Sequence, residues 1–193
     1  MYAVQALRYH PDTLIRWRNH QLYTSLQLPS AVRPWLLDPG SLTQRLIERS
    51  NGQFRVQIIN QQWQQPRYSE RALLDMKPRE PAIIREVALL CGGKPWVFAR
   101  SVLPASSLSG RLYRLRKFKD NALGEILFRD HSMRRYPFEI ARLEGHSPLL
   151  PTHLQQSEAL WGRRCRFELA GKPLMVSEFF LHNFQAQTPK ITL

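Results

Sequence analysis

The chain has 193 residues, of which 43% are hydrophobic, and 28 lysines and arginines against 15 acidic residues give a net charge of +13. This length and apolar content fit one domain with a substantial core, so we treat residues 1–193 as a single domain. No stretch reaches the roughly 18 apolar residues of a membrane span, and residues 1–11 lack the apolar block of a secretory signal. We therefore expect a cytosolic protein, and we take it to be a monomer.

The first half of the chain predicts helices and loops followed by one strand. Ser41 is a good helix N-cap, with apolar residues at helical spacing after it. Residues 53–63 alternate between apolar and polar side chains, which predicts a strand that ends before Pro66. Residues 70–76 predict one or two helical turns, which nearby prolines end.

The second half predicts two hairpins that share a Gly-Lys-Pro turn. Residues 82–91 and 96–104 flank the first turn, and residues 165–170 and 174–181 flank the second. Overlaying the turns makes Arg100 equivalent to Glu178, which hints at pseudo-two-fold symmetry. Residues 107–128 look helical, and residues 133–143 predict another strand. About five or six strands joined by turns or short helices indicate an α+β fold with an antiparallel sheet.

Three charged residues occupy strand faces that are otherwise apolar. By alternation Arg85, Arg100 and Glu178 each share a face with hydrophobic neighbours. Burying an unpaired ion costs on the order of several kcal/mol, so these charges either pair with one another or await a ligand. Both faces of residues 82–90 are apolar, so alternation does not decide between Arg85 and Glu86 as the functional charge.

Other motifs indicate neither a metal nor a cofactor. The six histidines lack metal-ligand spacing, and the sequence has no Gly-rich phosphate loop and no nucleophile elbow. Cys91 and Cys165 lack a C-x-x-C spacing, so we expect small, reduced, buried side chains. We expect chemistry that needs only a carboxylate and cationic groups.

The positive charge has three interpretations. Some of the basic residues cluster, namely Arg111, Arg114, Arg116, Lys117 and Lys119. Nucleic-acid binding is one interpretation, but no helix-turn-helix, zinc-finger or RNA-binding motif accompanies the cluster, so we do not expect it. The charge could instead raise the local concentration of a small dianion, or simply keep the protein soluble.

Several motifs, in order along the chain, resemble bacterial chorismate lyase. They are R-E-V-A-L-L-C and K-P-W within residues 85–96, A-R-S-V-L-P at 99–104, L-G-E-I-L-F at 123–128, L-W-G-R-R at 160–164, and G-K-P-L with S-E-F-F-L within 171–181. The resemblance covers about residues 35–181. It implies a sheet of about six antiparallel strands, with helical flaps over a buried ligand site. It also implies a cofactor-free enzyme that converts chorismate into 4-hydroxybenzoate and pyruvate for ubiquinone synthesis.

The resemblance also implies a set of site residues. The family holds its product with an arginine, a glutamate and two backbone amides, which fall on Arg85, Glu178, Leu42 and Leu123. The choice of Arg85 over Glu86 rests on this resemblance.

The two amides also make sense from the residues themselves. Leu42 follows Ser41, and Leu123 follows Asn121, which is another good N-cap residue. Amides in the first turn of a helix lack partners and favour an anion.

The chemistry of chorismate suits these residues. Arg85 can bind the ring carboxylate through its planar fork. Glu178 can accept a hydrogen bond from the C4 hydroxyl, and it either removes the C4 proton or only positions the hydroxyl. We assign Arg100 to the enolpyruvyl carboxylate, from the strand pattern and the pseudo-repeat.

The chain departs from the family in a longer stretch at 145–159, in Leu42 at a methionine-like position, and in its more basic surface. The main alternative function is a non-catalytic module that senses an effector, because certain transcriptional regulators use the same fold.

Overall fold

One antiparallel sheet organises the computed structural model, which describes residues 15–24, 26–117 and 123–186. Neighbouring strands follow the order β1-β6-β7-β8-β4-β3-β2, and β5 also pairs with β7. Within these described ranges, six strands have five or more residues and two have only two residues, so the predicted α+β fold is confirmed. The strands are β1 (Arg18–Asn19), β2 (Phe54–Gln64), β3 (Ala82–Cys91), β4 (Lys94–Pro104), β5 (Arg134–Arg135), β6 (Glu139–Leu143), β7 (Leu160–Leu169) and β8 (Lys172–Phe180).

Five short α-helices in the described residues join or flank these strands. The helix α2 begins as predicted, because the Ser41 hydroxyl accepts a hydrogen bond from the Gln44 amide at 3.3 Å. Asn121, the predicted N-cap residue before Leu123, lies outside the described residues. The helices are α1 (Arg33–Leu36), α2 (Leu42–Arg49), α3 (Tyr68–Leu73), α4 (Leu123–Arg129) and α5 (His182–Ala186), with 3-10 turns at His20–Leu22, Ala105–Ser107, Gly110–Lys117 and Thr152–Leu154.

Both predicted hairpins form, with one irregularity. Each turn contains two successive residues with positive φ, Gly92 and Gly93 in the first and Ala170 and Gly171 in the second. This geometry matches the right-handed twist of the flanking strands. A bulge where β3 pairs with β4 leaves Trp96 without a register partner, so Trp96 packs in the same hydrophobic cluster as its neighbour Val97 instead of alternating with it.

The central strands of the sheet are buried on both faces, whereas most side chains of the edge strand β2 are exposed or half-buried. The first face packs against α1, α2, α4 and α5 and carries the largest hydrophobic cluster. The second face is covered in part by residues 145–159, because Leu149, Leu150 and Leu154 pack there against Phe98 and Phe179. This stretch, which is longer than in the family that the chain resembles, therefore contributes to the core. Cys91 and Cys165 are buried and unpaired, as predicted. In the described part of the chain, no helix combines the length and apolar character needed to cross a bilayer.

Candidate active site

A cavity lies between the first face of the sheet and the beginnings of α2 and α4. Its walls are mostly apolar, and its functional groups are three arginines, one glutamate, two hydroxyls and a thiol. The apolar wall includes Val56, Val87, Leu89, Ala99, Leu127, Phe128, Phe167 and Val176. The polar lining consists of Thr43, Arg85, Ser101, Arg135, Arg163, Cys165 and Glu178.

Strand register brings Arg85 and Glu178 to this face. Arg85 pairs with Ser101 on β4, and Ser101 pairs with Val176 on β8, two residues before Glu178. Arg85 is only 3% exposed. Its Nη1 donates to Gln61 Oε1 at 2.7 Å, so the guanidinium is oriented from the neighbouring strand β2. The structure therefore brings together the two charges that the resemblance singled out.

Glu178 contacts a buried arginine that the sequence did not indicate. Arg163 lies opposite Glu178 in the β7–β8 pair, and its Nε donates to Glu178 Oε2 at 2.7 Å. Its Nη1 donates to the carbonyls of Trp35 at 2.8 Å and Asp38 at 2.7 Å. One buried side chain thus fixes a carboxylate oxygen of Glu178 and the connection between α1 and α2 (residues 37–41).

The two predicted amide donors begin helices beside the cavity. Leu42 is the first residue of α2 and Leu123 the first of α4, and both line the cavity. A Cβ on Gly124 would lie 2.9 Å from Thr43 Oγ1, so the helix starts pack closely and this position suits glycine. Because amides of a first turn lack partners within the helix, both are suited to bind an anion.

Arg135 is the third arginine of the cavity, and it also was not predicted. Its Nη1 donates to the carbonyls of Pro39 and Gly40, in the connection that Arg163 also contacts. Its guanidinium carbon lies 5.4–5.9 Å from the centroids of three phenylalanine rings, those of Phe128, Phe138 and Phe167. In the sequence Arg135 is one of two adjacent arginines, and no pattern indicated which of them faces inward.

Arg100 does not reach the cavity, which corrects the sequence-based assignment. It pairs with Ser177 in the sheet, whereas Glu178 pairs with Ala99, so Arg100 and Glu178 point to opposite faces. On the second face Arg100 Nε lies 2.7 Å from Glu70 Oε1, and Nη1 lies 2.7 Å from Glu86 Oε1. Burial lowers the pKa of Arg100, but the hydrogen bonds and charges of these two carboxylates outweigh it and raise the pKa. Its charge is therefore satisfied internally.

The described residues contain no group of three or more histidine, cysteine, aspartate or glutamate side chains placed to hold a metal ion.

Comparison with known proteins points to one family. A sequence model of the chorismate lyase family matches residues 15–188. Several relatives carry the name "Probable chorismate pyruvate-lyase", and two of them illustrate the similarity. The relative from Pseudomonas aeruginosa strain UCBPP-PA14 is 41% identical over 150 residues, which cover 78% of this chain and 83% of the relative. The relative from Methylococcus capsulatus is 39% identical over 152 residues, which cover 78% and 94%.

Two solved structures share the fold. The effector domain of PhnF from Mycobacterium smegmatis gives a TM-score of 0.54 at 14% identity, over 76% of this chain and 91% of that domain. A ligand-binding domain of a GntR-family regulator from Bordetella bronchiseptica gives 0.52 at 15% identity, over 68% and 86%. At these identities the likeness concerns the fold alone.

Proposed function

The chain belongs to the chorismate lyase family, and on that premise we propose that it converts chorismate into 4-hydroxybenzoate and pyruvate without a cofactor. One observation carries the proposal. A buried guanidinium and a carboxylate, those of Arg85 and Glu178, line one largely apolar cavity. Chorismate offers a ring carboxylate to the first group and a C4 hydroxyl to the second.

In this proposal the ring carboxylate binds at the Arg85 end of the cavity. The planar guanidinium can donate two parallel hydrogen bonds to a carboxylate, which a lysine could not do. The backbone amides of Leu42 and Leu123 supply further donors. Apolar walls exclude water and strengthen these interactions, since the local dielectric is low.

The reaction is an elimination that makes the ring aromatic. The bond from C3 to the ether oxygen breaks, C4 loses its proton, and the enolpyruvyl group takes up a proton to become pyruvate. Because the aromatic product is strongly favoured, the enzyme has mainly to hold the reacting geometry.

Glu178 serves this geometry by accepting a hydrogen bond from the C4 hydroxyl. The hydrogen bond from Arg163 fixes Oε2 of Glu178. In this proposal Oε1 accepts the hydrogen bond from the hydroxyl. The C4 proton passes either to Glu178 or directly to the methylene carbon of the enolpyruvyl group. A carboxylate held by a buried arginine suits the positioning role in particular.

We further propose that the enzyme works as a cytosolic monomer and that its 4-hydroxybenzoate feeds ubiquinone synthesis. The net charge of +13 would raise the local concentration of the dianionic substrate.

The test is to incubate the purified chain with chorismate while following 4-hydroxybenzoate by absorbance and pyruvate with a coupled dehydrogenase. We expect both products in equal amounts. Tight binding of 4-hydroxybenzoate or chorismate with no turnover would instead favour the effector-sensing module.

A further inference from the structure

We propose that Arg135 forms a second anion subsite, which binds the enolpyruvyl carboxylate of the substrate. The inference rests on the proposed function and extends it. It assigns a binding residue to the enolpyruvyl half of chorismate, for which Arg85 and Glu178 provide none. It gives Arg135 the role that was first given to Arg100.

The three arginines of the cavity differ in the partners that they already have. Arg85 is assigned to the ring carboxylate, and Arg163 is occupied by Glu178 and two backbone carbonyls. Arg135 forms no ion pair with an acidic side chain in the described part of the chain, and its Nε is buried without a hydrogen-bond acceptor there. A buried donor left unpaired is costly, so an incoming anion would satisfy it.

The position of Arg135 relative to Arg163 also supports the proposal. Arg163 contacts the Asp38 carbonyl, and Arg135 contacts the carbonyls of the next two residues, Pro39 and Gly40. Consecutive Cα atoms lie about 3.8 Å apart, so the carbonyls that Arg135 contacts are one and two peptide units from the carbonyl that Arg163 contacts. Both arginines line the same cavity as Glu178. The ether at C3 is adjacent to the C4 hydroxyl that Glu178 binds. A carboxylate on that ether therefore falls within reach of Arg135.

Aromatic rings surround the Arg135 guanidinium. The rings of Phe128, Phe138 and Phe167 all lie within 6 Å of it, so contacts with aromatic rings replace part of its hydration. In such a weakly polar setting an ion pair with a carboxylate is stronger than in water.

The subsite would distinguish substrate from aromatic product. Chorismate carries two carboxylates, whereas 4-hydroxybenzoate has lost the second one to pyruvate. Arg135 should therefore contribute to chorismate binding and contribute little to the affinity for 4-hydroxybenzoate.

The test compares Arg135→Gln with the matched variant Arg129→Gln. Arg129 lies on α4 with its side chain 79% exposed, so its replacement removes the same charge outside the cavity. For Arg135→Gln we expect kcat/KM for chorismate to fall about 10- to 100-fold, mainly through KM, because charge-assisted hydrogen bonds are lost. The affinity for 4-hydroxybenzoate, measured by calorimetry, should stay close to that of the wild type. Arg129→Gln should change neither quantity.

Equal losses for chorismate and 4-hydroxybenzoate would overturn the proposal, because Arg135 would then only hold the α1–α2 connection. Unchanged kcat/KM would overturn it as well. If the wild-type protein does not turn over chorismate, the proposed function fails, but the subsite is still tested by the relative affinities for chorismate and 4-hydroxybenzoate in the two proteins.

Discussion

Arg163 and Glu178 lie directly opposite each other on β7 and β8, joined by a 2.7 Å hydrogen bond from Nε to Oε2. The same guanidinium donates to the Trp35 and Asp38 carbonyls, which lie in and just after α1. One buried side chain therefore sets the position of the proposed functional carboxylate relative to the segment that leads into α2.

Arg163→Lys should lower kcat, since an ammonium keeps the charge but cannot reproduce the planar arrangement of donors toward Glu178 and the two carbonyls. We also expect the free energy of unfolding to fall, by up to about 3–5 kcal/mol if the buried pair is lost. Steady-state kinetics and urea denaturation measure the two effects. Arg142→Lys is the control, because Arg142 pairs with Glu144 at the surface. A wild-type kcat in Arg163→Lys would show that the pair does not position Glu178.

Glu178→Gln and Glu178→Ala separate two roles of the carboxylate. Glu178→Gln keeps the size and can still hydrogen-bond the C4 hydroxyl, for instance by donating from its amide nitrogen to the hydroxyl oxygen while its own oxygen accepts from Arg163, but it cannot take a proton. If Glu178 mainly positions the hydroxyl, the loss of turnover in Glu178→Gln should be smaller than the contribution of a general base, which is about 10²–10⁴-fold. Glu178→Ala should lose more turnover, because it also leaves a cavity beside Val176. Equal and complete inactivation of both variants would indicate an obligatory base, and unchanged turnover and 4-hydroxybenzoate affinity would remove Glu178 from the site.

Arg100→Met should reduce stability and leave substrate binding almost unchanged. The substitution leaves the carboxylates of Glu70 and Glu86 near each other on the second face without their shared cation. Removing one partner of a buried ion pair typically costs about 3–5 kcal/mol. Urea denaturation and the KM for chorismate of the folded protein provide the test. A raised KM at wild-type stability would return Arg100 to the substrate site.

Asp38 should make the stability of the protein sensitive to acid. Burial raises the pKa of its carboxyl group, but the hydrogen bond from the Gly40 amide and the charge of Arg45 outweigh this and hold the pKa below its usual value. A lowered pKa in the folded state stabilises the protein above the unfolded pKa of about 3.9, and this contribution disappears as the pH falls through the folded value.

The wild type should therefore exceed Asp38→Asn in free energy of unfolding by a constant amount above about pH 5, and the difference should shrink below about pH 4. Urea titrations from neutral to acidic pH measure it. A difference that grows on acidification would contradict this account of Asp38.

Local chemistry in the sequence accounts for much of the fold. The start of α2 follows from the side chain of Ser41, and β3 spans the predicted residues 82–91 because a run that is apolar except at Arg85 and Glu86 ends at a glycine pair. The four residues implied by the resemblance, Arg85, Glu178, Leu42 and Leu123, all line one cavity, while their roles stay predictions.

The sequence did not predict the register between neighbouring strands. Equating the hairpin turns made Arg100 and Glu178 equivalent, yet the register between β4 and β8 pairs Glu178 with Ala99. An offset of one residue reverses the face of the sheet to which a side chain points. Arg135 follows one arginine and Arg163 precedes another, and only strand pairing shows which arginine of each adjacent pair faces the cavity. The sequence therefore did not predict either residue.

Arg85→Ala tests the central claim most directly, namely that this cavity binds the ring carboxylate of chorismate during its conversion to 4-hydroxybenzoate. The matched control is Arg55→Ala, which removes an exposed arginine from β2. We predict that Arg85→Ala remains folded and loses about 100-fold or more in kcat/KM, because two charge-assisted hydrogen bonds are lost, while the control keeps its activity. A folded Arg85→Ala protein with near-native turnover of chorismate would contradict the account.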